Sequence, residues 1–154
     1  MSKVIELASQ WLAWDTNEKT RNEIKQLLDA GNEKELENRL ATRIKFGTAG
    51  LRGRMQAGNA YMNHLTVQQA SQGFVRAIQG VFENDKPEGL QRAVCVGHDA
   101  RHNSTDFAKI TASAFLSVGI PVYFFPVIVA TPLVVKFMFL NLHVKKHKIF
   151  IFIC

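Results

Sequence analysis

The sequence predicts an α/β fold, a mixed or mainly parallel sheet with flanking helices, preceded by an N-terminal helical arm. Three observations carry this. Apolar residues recur at helical spacing through the first 42 positions. Short apolar runs at 93–97 and 122–125 are bounded by turn residues, as buried parallel strands are. Amphipathic stretches at 66–82 and 104–118 precede each run, which is the helix–strand rhythm of right-handed crossovers.

In the arm, Val4, Leu7, Ala8, Trp11 and Leu12 predict a helix over 3–14. A second runs from Asn17 to Ala30, with Ile24, Leu27 and Leu28 inward and Gly31 as its stop. Asn32 caps a third, with Glu35 at the capping-box position, ending near Thr42. Residues 44–46 read as a short strand. Thr66 is expected to cap the next helix, whose stripe is Val67, Ala70, Phe74, Ala77, Ile78 and Val81. Ser104 is expected to cap the last, with Phe107, Ile110, Ala114, Phe115 and Val118 inward. Residues 110–135 hold 26 positions without a charge, but Gly119, Pro121, Pro126 and Pro132 interrupt them, so a buried helix–turn–strand is expected rather than a membrane span.

The chain has 154 residues, 47% hydrophobic, enough for a domain with a real core. Two cysteines make no disulfide framework, and no secretory signal is read at the start, so a cytoplasmic setting is expected. The net charge of +6 is local: every acid lies at or before Asp106, and five lysines follow it. Nucleic acid is not an expected partner, because no basic face is interleaved with stacking aromatics.

The least ordinary stretch is Phe46-Gly-Thr-Ala-Gly-Leu-Arg-Gly-Arg54. A glycine-rich turn can aim backbone N–H groups at one anion, and Arg52 adds a planar fork suited to two phosphate oxygens. It is no Walker loop, since no Gly-Lys-Ser/Thr follows. On these residues alone two readings stand: an anion cradle, or a tight surface turn with Arg52 in water.

That stretch is followed in order by Met62-Asn63, Leu65-Thr66-Val67, Gln72-Gly73, Val96-Gly-His-Asp-Ala-Arg-His-Asn-Ser104, Gly119-Ile-Pro-Val-Tyr123 and Ala130-Thr-Pro132. The set resembles the first domain of the α-D-phosphohexomutase superfamily. The lead-in Trp11-Leu-Ala-Trp-Asp15 is similar to the branch of phosphoglucomutases that act as phosphopentomutases or make glucose 1,6-bisphosphate. The resemblance covers about residues 8–132. It implies a four-domain α/β enzyme that moves phosphate between position 1 and position 5 or 6 of a sugar phosphate, through a phosphoserine and Mg2+. It places Arg52 against the reacting phosphate, with Thr48, Ala49 and Gly50 shaping the pocket. Asp99 and Arg101 match a Gly-x-Asp-x-Arg turn, read mainly as scaffolding.

The departures matter equally. The resemblance implies a Thr-Ala-Ser-His-Asn-Pro phosphoserine loop and an Asp-rich metal loop, and neither occurs in this sequence. Thr111-Ala-Ser113 and His102-Asn-Ser104 only imitate the serine loop. The expected layout is a helical arm (1–43), an incomplete first domain (44–132) and a divergent tail (133–154). The tail is rich in Phe, Ile, Leu, Val and Lys, which suggests readthrough or an alternative end and an aggregation risk. These residues alone are expected to be inactive and to bind no metal; the alternative is a non-catalytic product that associates with a partner through surface that later domains cover. The spacings His98/His102 and His143/His147 offer a rival zinc reading, but the first pair lies on a loop, where that spacing guarantees nothing, and the second has no Cys, Asp or Glu near it. Trp11 and Trp14 are expected to pack in a core or between domains.

Overall fold

The computed structural model describes residues 2–47, 50–84, 93–142 and 149–153. The chain divides into two compact units, residues 1–67 and 68–154.

The first unit is built on three helices: α1 (Lys3–Trp14), α2 (Glu18–Asp29) and α3 (Glu33–Leu40). The second and third begin at a capping asparagine. Asn17 accepts the Thr20 N–H at its side chain, and Asn32 accepts the Glu35 N–H, so both fill an orphan donor of the first turn. The apolar stripes meet in a core of Val4, Ala8, Trp11, Ile24, Leu36 and Leu40, joined by Ala57 and Leu65. Each large aliphatic residue buried there stabilises the unit by about 1.5–3 kcal/mol. Trp11 lies in this core, whereas Trp14 is 53% exposed. Two very short strands follow, β1 (Phe46–Gly47) and β2 (Gly50–Leu51), paired antiparallel. The expected strand at 44–46 is therefore displaced and shortened, because its pairing partner is the far side of the same glycine loop.

Helix α4 (His64–Asn84) starts two residues before the expected cap, because Asn63 takes the capping role expected of Thr66. Its buried positions include Val67, Val75 and Ile78, while Ala77 and Val81 of the expected stripe are exposed.

In the second unit a parallel sheet has the order β4-β3-β5, from β3 (Ala93–Gly97), β4 (Val122–Phe124) and β5 (Ile149–Ile153). β3 is central and buried at every position, as its unbroken apolar run predicts. α5 (Ser104–Leu116) packs on α4: Phe74 and Phe115 meet edge to face at 5.5 Å, and the buried Ser71 and Thr111 hydroxyls lie 2.9 Å apart. Val118, expected inward, is exposed because the helix has already ended at Leu116. Residues 133–154, set apart by composition, contribute most of α6 (Thr131–Leu142) and all of β5. Val134 from that stretch is fully buried with Cys95 and Val129. No described helix is long and apolar enough to cross a membrane.

Candidate functional site

The glycine loop is a hairpin closed at Gly47 opposite Gly50, with Phe46 opposite Leu51. Gly50 sits at φ +91°, a left-handed conformation that a side chain resists. Thr48 and Ala49, expected to shape the pocket, lie outside the described residues. Arg52 follows β2 directly and is exposed. Among the described residues it joins no ion pair, so its guanidinium remains available to an outside anion.

The base of the hairpin is anchored to the segment that follows it. The Ile44 N–H donates to the Asn59 carbonyl at 2.7 Å, and the Met62 N–H to the Arg54 carbonyl at 2.8 Å. Behind them Arg39, its side chain 12% exposed, donates to Glu35 at 2.8 Å and to Glu23 at 3.1 Å. The same Glu23 oxygen accepts the Ala57 N–H at 3.3 Å. The Arg39 hydrogen bond holds the Glu35 carboxyl below its usual range, against the opposing effect of burial. The arrangement is a charged tip on a fixed base. It leaves the Arg52 cation exposed to solvent.

Asp99 and Arg101 form a separate local structure after β3. Asp99 accepts the Arg101 N–H at 3.0 Å, Arg101 Nε at 2.6 Å and the Ser104 hydroxyl at 2.9 Å. Burial would raise the Asp99 pKa, but these hydrogen bonds outweigh it and leave the carboxyl below its ordinary range. Ser104 is thus tied back to Asp99, and the residue before the helix is Asn103, at φ +62°. This differs from the expected Ser104 cap because the turn carries its own carboxylate acceptor. Of the imitation serine loop, Thr111 is buried and donates to the Phe107 carbonyl at 2.9 Å, while Ser113 is exposed midway along α5. His98 is buried and His102 exposed, whereas His143 and His147 lie outside the described residues. Among the described residues no three of His, Cys, Asp and Glu converge as metal ligands.

Residues 43–151, which include the hairpin, the Asp99 turn, β3 and β4, match the family model of phosphoglucomutase/phosphomannomutase, alpha/beta/alpha domain I. The chain belongs to this family. Its relatives include a probable phosphoribomutase of Schizosaccharomyces pombe, 45% identical over 129 residues, covering 84% of this chain and 21% of that protein. The mouse phosphopentomutase is 43% identical over 132 residues, covering 82% of this chain and 21% of its own. The mouse glucose 1,6-bisphosphate synthase is 45% identical over 131 residues, covering 81% and 20%. The chain therefore spans about a fifth of the length of the curated relatives it matches. No solved structure matches it.

In this phosphoglucomutase/phosphomannomutase domain, sequence reasoning finds the glycine–arginine tip and misses the base. Arg39, Glu23 and Asn63 carry no motif of their own. The one available signal was Asn63 three residues before Thr66, a capping spacing just ahead of an apolar run.

Proposed function

We propose that this domain serves a sugar phosphomutase by presenting Arg52 to a phosphoryl group in transit between position 1 and position 5 or 6 of a pentose or hexose phosphate. The supporting observation is an exposed guanidinium, outside every ion pair among the described residues, on a hairpin whose base is fixed. Phosphoryl transfer passes through a state with charge spread over three oxygens, so a positioned cation contributes more than an acid or base. The planar fork of arginine can hold two of those oxygens, and the anchored base keeps it in register. Thr48, Ala49 and Gly50 complete the phosphate-facing turn in this reading, and Asp99 with Arg101 holds the β3–α5 connection. The glucose 1,6-bisphosphate synthase reading uses the same tip.

The phosphoserine loop and the Asp-rich loop that the resemblance implies do not occur in these 154 residues. The described residues bring no group of three or more His, Cys, Asp or Glu together that would hold magnesium. A cytoplasmic setting agrees with the free thiol of Cys95. Titration of the chain with inorganic phosphate tests the site: weak binding that Arg52→Ala removes supports it, and binding unchanged in that variant overturns it. A polypeptide of these 154 residues is expected to give no turnover above blank in a coupled glucose 1-phosphate to glucose 6-phosphate assay.

A second reading, association with a partner protein, rests on Val127, Ile128 and Leu133, which are 67%, 62% and 57% exposed between β4 and the first turn of α6. Size-exclusion chromatography discriminates, since a clean monomer argues against it.

A further inference from the structure

A groove of about 490 Å3 lies between α4 and α5, wholly within the second unit. Small-molecule sites enclose about 300–1,000 Å3. The two helices run side by side in one direction, since Ser71 meets Thr111 and Phe74 meets Phe115. Those contacts bury one face of α4 and leave Gln69, Gln72, Arg76 and Gln79 along the groove. Steps of three, four and three residues make them one helical stripe.

The polar heads of this stripe are uncommitted. Among the described residues Arg76 joins no ion pair, and the three glutamines make no side-chain hydrogen bond. One turn to either side of Arg76, α4 carries Gln72, Gly73, Gln79 and Gly80, so no carboxylate stands within helical reach of it. The end of α5 does not supply one either, and its last carbonyls are taken. The Ser117 N–H donates to the Ser113 carbonyl at 2.9 Å, the Ser117 hydroxyl to Ala114 at 2.8 Å and the Gly119 N–H to Leu116 at 3.0 Å, while the Phe115 carbonyl accepts from Val118 and Ile120. The groove is therefore lined by one cation and three amides, with no acid.

Gly73 lies in the middle of the stripe. It sits inside a helix, where alanine is more stable, and nothing lies within 4 Å of a Cβ placed there. Packing does not require a glycine at this position. A ligand resting on bare helix backbone does.

We infer that the α4–α5 groove is a second ligand site, for a small polyhydroxylated anion of the sugar-phosphate class. The Arg76 guanidinium offers its planar fork to the anionic group. Each glutamine amide offers two donors and an acceptor, the set that pairs with hydroxyls. Every residue of the groove belongs to the second unit, so this site stands or falls apart from Arg52.

The test is an NMR titration of the 154-residue chain carrying Arg52→Ala, which removes the hairpin site from the signal. Glucose 6-phosphate, glucose and inorganic phosphate are the separate probes. Glucose 6-phosphate is expected to shift the Gly73 backbone amide and the Gln72 and Gln79 side-chain amides saturably, and to bind more tightly than the other two. Arg76→Ala should weaken that binding about three- to fivefold, with Arg76→Lys between. Gln72→Ala should weaken it about two- to fivefold. Both side chains are exposed, so these variants keep the fold. Gly73→Ala should weaken binding while raising the melting temperature, a combination that a merely structural glycine would not give. No saturable shift at Gly73 overturns the site. Inorganic phosphate binding as tightly as glucose 6-phosphate also overturns it, because the glutamines would then read nothing. So does binding unchanged in both Arg76→Ala and Gly73→Ala. None of these outcomes bears on Arg52.

Discussion

Asn63 and Thr66 hold each other reciprocally across the first turn of α4. Asn63 Oδ1 accepts the Thr66 N–H at 3.0 Å, and Thr66 Oγ1 accepts the Asn63 N–H at 3.0 Å. Two donors that would otherwise be orphaned at a buried helix start are thereby satisfied. The Asn63 amide also donates to the Gln56 and Gly58 carbonyls, each at 2.9 Å. The same side chain therefore starts the helix and folds back the segment that follows the glycine hairpin.

Replacing Asn63 by Ala should remove both functions. The lost cap costs about 1 kcal/mol, and the stranded buried carbonyls add about 1–3 kcal/mol. Asn63→Asp keeps the cap acceptor but turns a buried carboxylate oxygen towards those carbonyls, so it should be no more stable than Ala at neutral pH. Urea unfolding with an unchanged slope is the measurement, and an Asp midpoint near wild type would show that the amide donor contributes little.

Gly58 is the tightest approach in the first unit. It sits at φ +123°, and a Cβ there would lie 2.5 Å from the Arg39 carbonyl oxygen. Gly58→Ala should cost about 1–3 kcal/mol from backbone conformation alone, with the steric clash added. Gly31, at φ +62° with nothing within 4 Å of the Cβ position, provides the control. Gly31→Ala should cost about 1 kcal/mol. Thermal melts of the two variants separate clash from conformation.

The Asp99 turn predicts a pH dependence with a definite sign. Its carboxyl is depressed in the folded chain, so the unfolded state binds the proton more readily. The stabilisation is then complete above the ordinary carboxylate range, and it is lost as pH falls through the lower folded value. Asp99→Asn should be less stable than wild type at neutral pH by about 1 kcal/mol or less, since the side chain is 36% exposed and water screens the pair. The difference should shrink below about pH 4. A constant gap from pH 7 to pH 3 would contradict this.

Cys95 lies in the central strand and is fully buried, and burial pushes its thiol up to about 11. In a Cys154→Ser variant, Ellman's reagent at pH 8 should leave the native chain essentially unlabelled and label it fully in urea. Rapid native labelling would mean that β3 opens far more readily than its packing implies.

Much of the fold is legible because its signals are short-range. Asn17 and Asn32 cap helices through atoms three residues away, so spacing alone locates α2 and α3. The unbroken apolar run at 93–97 identifies a strand buried on both faces, and the glycine spacing marks the hairpin with Arg52 beside it. The base of the site was not legible. Arg39 and Glu23 meet across 16 residues, and Glu23 reaches Ala57 across 34, which no local pattern encodes.

The sequence by itself determined the helical arm, the strand–helix alternation and the cation at the turn, since each depends on side-chain periodicity within a few residues. Tertiary structure alone decided two other features. Gly58 must be glycine because a distant carbonyl crowds it. Residues 149–153 become a strand because the buried edge of β3 needs hydrogen-bond partners.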